Sequence, residues 1–114
     1  MMEKTIFARI IDRELPAEIV FEDEDIICIK DKFPQASVHI LLIAKKKIPS
    51  LQQLEEDDYP IIVKIVDRAK HLAREFGVED NYRFLTNCGT KAGQSVFHLH
   101  FHLIGGKVSG SKGG

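Results

Sequence analysis

The chain has 114 residues, 44% of them apolar, enough for one compact domain with a real core. Lysine and arginine total 16 against 17 aspartates and glutamates, a formal net charge of −1. That balance gives no electrostatic reason to expect nucleic acid or a membrane surface as partner. No apolar run reaches membrane-spanning length, and the first twenty residues carry charge where a signal peptide would be apolar. A soluble, cytoplasmic protein is expected. Cys28 and Cys88 stand far apart and form no C-x-x-C pair, so a zinc ribbon or thioredoxin motif is excluded.

In chain order, "TIFARIIDRELP" puts Phe7, Ile10 and Ile11 at helical spacing, predicting a short helix that ends before Pro16. The runs 18–22 and 26–30 flank an acidic turn and read as a β-hairpin. Residues 31–37 contain Pro34 and read as a loop. "VHILLIA" (38–44) is apolar enough for a central strand. The basic stretch 45–54 reads as a surface connection. "EEDDYPIIVKIVDRAKHLAREFGV" is the clearest helix. Ile62, Ile65, Val66, Ala69, Leu72, Ala73 and Phe76 form its expected apolar stripe. Acidic residues crowd its start, Pro60 fits its first turn, and Gly77 is its stop. Residues 82–87 predict a strand, 88–94 a glycine-containing loop, and 96–104 a final strand. The order predicts an α+β fold with a mostly antiparallel sheet. One domain over 1–106 is expected, with a mobile Gly/Ser/Lys tail over 107–114.

The final predicted strand, "VFHLHFHLI", carries His98, His100 and His102 at alternate positions. Strand alternation puts the three imidazoles on one face and Phe97, Leu99, Phe101 and Leu103 on the other. Three readings compete: exposed polar fillers, a metal site, or acid–base and nucleophilic catalysis. The preceding "GTKAGQS" brings Gly89, Gly93 and Ser95 to the strand, and glycine amides beside a hydroxyl suit phosphate oxygens. No carboxylate lies nearby in sequence to serve as a hard metal ligand or to orient a metal-bound imidazole. Elsewhere, Asp31 reads by itself as the start of an Asx-turn before Pro34, His39 as an incidental strand histidine, and His71 as a surface residue. Phe7, Ile10 and Ile29 read as ordinary core.

"HLHFHLI" (98–104) resembles the His-φ-His-φ-His-φ-φ signature of the histidine-triad (HIT) superfamily. "GQSVFHLHFHLIGG" (93–106) is similar to its Hint branch, the nucleoside phosphoramidases, in a bacterial-type form. The segments 6–23, 31–43 and 82–87 match in the same order, so the resemblance covers nearly the whole chain. It implies a five-stranded antiparallel sheet with one long and one short helix, and a homodimer. It implies binding of purine nucleoside monophosphates and hydrolysis of the P–N bond of their phosphoramidates, with no cofactor and no metal.

By position, the resemblance makes His100 the nucleophile and His102 a phosphate contact. His98 and His39 become supporting histidines. Ser95, Asn87, Gly93 and the Val96 amide match the polar positions around the phosphate and leaving group. Asp31 matches the ribose carboxylate, and Phe7, Ile10 and Ile29 the base pocket. Lys32 departs from the pattern where many Hint proteins place an apolar residue against the base. The Trp-containing C-terminal segment of animal Hint proteins is absent, which leaves the leaving group open, and the paired cysteines of some zinc-containing relatives are absent too. Three alternatives stand beside the phosphoramidase: a dinucleoside polyphosphate hydrolase, a nucleotide-binding regulatory protein with weak catalysis, and a metal-binding module on the histidine face.

Overall fold

The computed structural model describes residues 3–108. Helix α1 (Ile6–Ile11) starts at Thr5, whose hydroxyl accepts the Ala8 N–H at 3.1 Å. Strands β1 (Ile19–Glu22) and β2 (Ile26–Lys30) form the expected hairpin. Strand β3 (Ala36–Ala44) pairs with β2. Helix α2 (Tyr59–Glu75) follows, then β4 (Tyr82–Leu85) and β5 (His100–Val108). All pairings are antiparallel, in the order β1-β2-β3-β5-β4. No helix among the described residues is long and apolar enough to cross a membrane.

Each sheet face has its own core. On one, Ile26, Cys28, Ile40, Leu42, Phe101 and Leu103 pack under Ile65, Ala69, Leu72 and Ala73 of α2. On the other, Ile27, Ile29, Leu41 and Ile43 pack under Phe7 and Ile10 of α1. The second face is the smaller, and α1 is too short to cover it. That leaves room for polar side chains on the adjoining part of β5.

Five sequence expectations change. The final strand begins at His100, not at residue 96. Before that point the chain crosses to the 44–48 segment, with Leu99 N–H donating to Ile48 O at 2.6 Å and Ala44 N–H to Leu99 O at 3.2 Å. Strand β4 has ended, and the Thr86 hydroxyl takes the His100 carbonyl at 2.6 Å instead of a ladder amide. Phe97 is therefore 47% exposed rather than in the core with Leu99, Phe101 and Leu103. The strand also runs on through Gly105 to Val108, past the expected tail boundary, where Lys107 N–H donates to Ser37 Oγ at 3.1 Å. The rest of that tail, 109–114, lies outside the described residues.

On α2, Val66 is exposed together with Tyr59 and Val63, so the buried stripe is narrower than its sequence pattern. The acidic residues do not enter the helix. Glu56–Asp58 form a 3-10 turn before it, and Asp58 is buried against Lys46.

Gly105 lies where β5 passes closest to the α2–β4 connection. A Cβ there would sit 2.8 Å from Val78 Cγ2 and 3.0 Å from the Asn81 carbonyl oxygen. Gly105→Ala should cost about 1–3 kcal/mol through overpacking. Urea unfolding checks this: a loss below about 0.5 kcal/mol, the usual range for uneventful surface changes, would show that the backbone yields freely there.

Candidate active site

His39 comes from β3 and His102 from β5, on the α1 face. His39 Nε2 lies 2.9 Å from His102 Nδ1 and 3.4 Å from Asp31 Oδ2. His100 stands beside them, its ring centroid 5.2 Å from that of His102, and the edge of Phe7 meets it at 4.8 Å. His98, just before the strand, turns inward and reaches the Ala44 carbonyl at 2.5 Å.

Backbone partners fix the tautomers, because a carbonyl only accepts and an amide N–H only donates. His100 Nδ1–H donates to the His98 carbonyl at 2.7 Å, so its Nε2 carries the lone pair. His98 Nε2–H donates to Ala44 O. Gln35 N–H donates to His39 Nδ1 at 3.0 Å, so the proton of His39 sits on Nε2. That proton is given to His102 Nδ1, the nearer acceptor, which leaves His102 with an outward Nε2–H. Of the three rings other than His98, these contacts leave His100 Nε2 as an unbonded lone pair and His102 Nε2–H as an unbonded donor.

All four imidazoles are biased toward the neutral form. Burial lowers the pKa of His98 and of His100, outweighing the carbonyl each one bonds. Burial lowers that of His39 too, against the opposing pull of Asp31. His102 is brought down from 6.5 to about 4, first by burial and then by His100 and His39 beside it. A neutral imidazole is the form that attacks.

The remaining predicted residues fall around this cluster or beside it. Phe7, Ile10 and Ile29 are buried in the α1-face core, with Val96 packed on its edge. Asp31 makes the Asx-turn expected of it alone, Oδ1 accepting Phe33 N–H at 2.7 Å, while Oδ2 faces His39. Gly93 takes a left-handed φ of +98°, and the Asn87 amide lies 3.7 Å from where its Cβ would be. Ser95 is exposed at the end of that loop. His71 is a surface residue, its Nδ1–H given to Asp67 O at 2.8 Å. Lys32 is exposed after Asp31.

Asp31, His39 and His102 bring three potential ligand atoms within 4.8 Å of one another. The tautomers oppose their use for a metal. His39 Nε2 could bind an ion only by moving its proton to Nδ1, against the Gln35 N–H.

Sequence reasoning missed Gln35 and Ala44, because they act through backbone atoms that no residue type advertises. It also passed over Gln94, a buried amide in the loop before the triad.

A family model described as "Scavenger mRNA decapping enzyme C-term binding" matches residues 4–114. An uncharacterized HIT-like protein of Chlamydia muridarum is 50% identical over 107 residues, 94% of this chain and 85% of that protein. A HIT family hydrolase from Clostridium thermocellum superposes with a TM-score of 0.90 at 45% identity, covering 98% of each chain. One from Legionella pneumophila gives 0.88 at 39% identity, over 91% of this chain and 94% of that one. The chain belongs to the histidine-triad family. Its sheet and helices are the HIT fold, and His98, just before β5, with His100 and His102 on it, lies within the matched region.

The neutral HIT cluster links stability to pH. The fold holds imidazoles whose pKa lies below 6.5, so the unfolded chain binds more protons below that value. Stability is full above pH 6.5 and is lost as the pH falls toward about 4. Urea midpoints measured at pH 7.5, 6 and 5 should therefore decline, and His102→Gln should flatten the decline. A variant as pH-sensitive as the wild type would place the effect on other groups.

Proposed function

We propose that this HIT protein is a nucleotide hydrolase of the Hint type, cleaving the P–N bond of purine nucleoside 5′-phosphoramidates. The observation that carries the reading is the His100 tautomer: Nδ1–H bound to the His98 carbonyl, Nε2 free, and the ring neutral at pH 7. Solved relatives described as HIT family hydrolases support it. So does a relative described as a histidine triad nucleotide-binding protein, from Candida albicans.

His100 Nε2 attacks the α-phosphorus, the P–N bond breaks, and the amine leaves with a proton taken from solvent, which hydrolysis of the intermediate later returns. The nucleotidyl-histidine is cationic while Nδ1–H remains, and the His98 carbonyl, already bonded to that proton, stabilises it. Water then releases the nucleoside monophosphate and restores His100. His102 Nε2–H points its donor at the phosphoryl oxygens, where charge builds in both steps. His39 holds that donor outward by occupying His102 Nδ1. Asp31 Oδ2 remains for the ribose hydroxyls, and Phe7, Ile10 and Ile29 flank the base.

The protein acts as a homodimer in this reading. The exposed stripe Tyr59, Val63 and Val66 on α2 and the outer edge of β4, which pairs only with β5 among the described residues, offer the surface. Sedimentation should give twice the chain mass, and Val63→Glu should shift it to the monomer. A monomeric wild type at micromolar concentration would remove the dimer from the proposal.

Hydrolysis of adenosine 5′-phosphoramidate by chelator-treated protein tests the chemistry. Turnover is expected, and His100→Ala should reduce it by about 10⁴-fold or more, as loss of a covalent nucleophile does. Wild-type AMP binding without turnover would favour a regulatory binder. Turnover retained in His100→Ala would dismiss the nucleophile.

A further inference from the structure

The loop between β4 and β5 is exposed at Lys91, Ala92, Gly93 and Ser95, yet Gln94 in its midst is only 4% exposed. Its side chain is fully engaged. Oε1 accepts Gly89 N–H at 2.9 Å. Both Nε2 protons are used, one to Pro49 O at 2.8 Å and one to Val96 O at 3.1 Å. Its backbone N–H also donates to Gly89 O at 3.0 Å. One side chain therefore ties three separate pieces of backbone: the start of the loop, its end, and the 48–50 segment. That last segment also receives Leu99 N–H, at the entry to β5.

The backbone N–H groups of Ser95 and Val96, in the two peptides that follow Gln94, have no partner among the described residues. Unpaired amides four and five residues ahead of His100 in the chain are donors that an anion can use, with the cost of ordering them met by the fold. Gln94 has no donor to spare for a substrate, because both Nε2 protons are already given to carbonyls.

We propose that Gln94 is a positioning residue: it bolts the Gly89–Val96 loop to the 48–50 segment and so aims the Ser95 and Val96 amides at the substrate phosphate, without touching the substrate. This rests on the reading that a nucleotide phosphate occupies that loop. It does not require P–N cleavage.

The test compares AMP with adenosine, two ligands that differ only by the phosphate. Calorimetric titration of the wild type and Gln94→Met, which keeps length and volume but makes no hydrogen bond, gives both affinities. AMP affinity should fall by about tenfold or more while adenosine affinity stays within about twofold, since only the anion uses the aimed amides. Equal loss for both ligands, or none for either, overturns the proposal. Gln94→Glu is the second variant: it retains the acceptor for Gly89 N–H but presents an oxygen to two carbonyls, and should lose the same AMP preference.

A titration of ¹⁵N-labelled wild type with AMP needs no variant to fold. The Ser95 and Val96 amide resonances should move, and the Gln94 side-chain NH₂ pair should stay. A side-chain pair that moves as far as the backbone amides would make Gln94 a direct substrate contact and end the positioning role. Both readouts are equilibrium binding, so a wild type that binds AMP but cleaves nothing counts against the phosphoramidase reading and leaves this one standing.

Discussion

Antiparallel pairing between β3 and β5 sets the rest of the molecule. In that register Leu41 faces His102 and Ile43 faces His100, while His39 faces Ile104. His39 and His102 are thus diagonal neighbours on one face, a separation that two long rings can span. The 2.9 Å contact between them follows from the pairing. A slip of one residue would turn the imidazoles toward α2 and send Phe101 and Leu103 to the other side. The apolar residues that alternate with the histidines oppose such a slip, because they are the floor of the α2 core.

Burial of polar rings carries a desolvation cost, and the site meets it with backbone groups. Ala44 O, His98 O and Gln35 N–H each take one ring nitrogen. No buried side-chain nitrogen or oxygen is without a partner among the described residues. The same low-dielectric setting that makes these bonds necessary keeps the rings neutral. The backbone contacts that make burial tolerable thus also decide which nitrogen of a ring is left unbonded.

The two faces divide the work. The α2 face supplies most of the packing, including the stacked pair Phe84 and Phe101 at 5.0 Å. The α1 face is thinner, and there Phe7 joins the apolar core to the His100 ring. Beside this short helix and small core His102 is half-buried, while His39, His98 and His100 are buried.

Much of this was legible in the residues. Alternation and periodicity located all five strands and both helices, because apolar spacing follows directly from which faces must be buried. The spacing of His98, His100 and His102, with the glycine loop before them, marked the site and carried the family resemblance. The start of β5 was not legible, because it depends on where β4 stops and on the Thr86 hydroxyl that takes its place. Nor was the exposure of Val66, since helical spacing alone does not say how wide a stripe the sheet will cover. The tautomers lay furthest out of reach. They are set by Gln35, Ala44 and His98 through main-chain atoms, and every residue type has the same main chain. Residue types alone announce a row of imidazoles; which nitrogen of each ring is left unbonded is settled by the fold, because it depends on backbone partners brought in from distant parts of the chain.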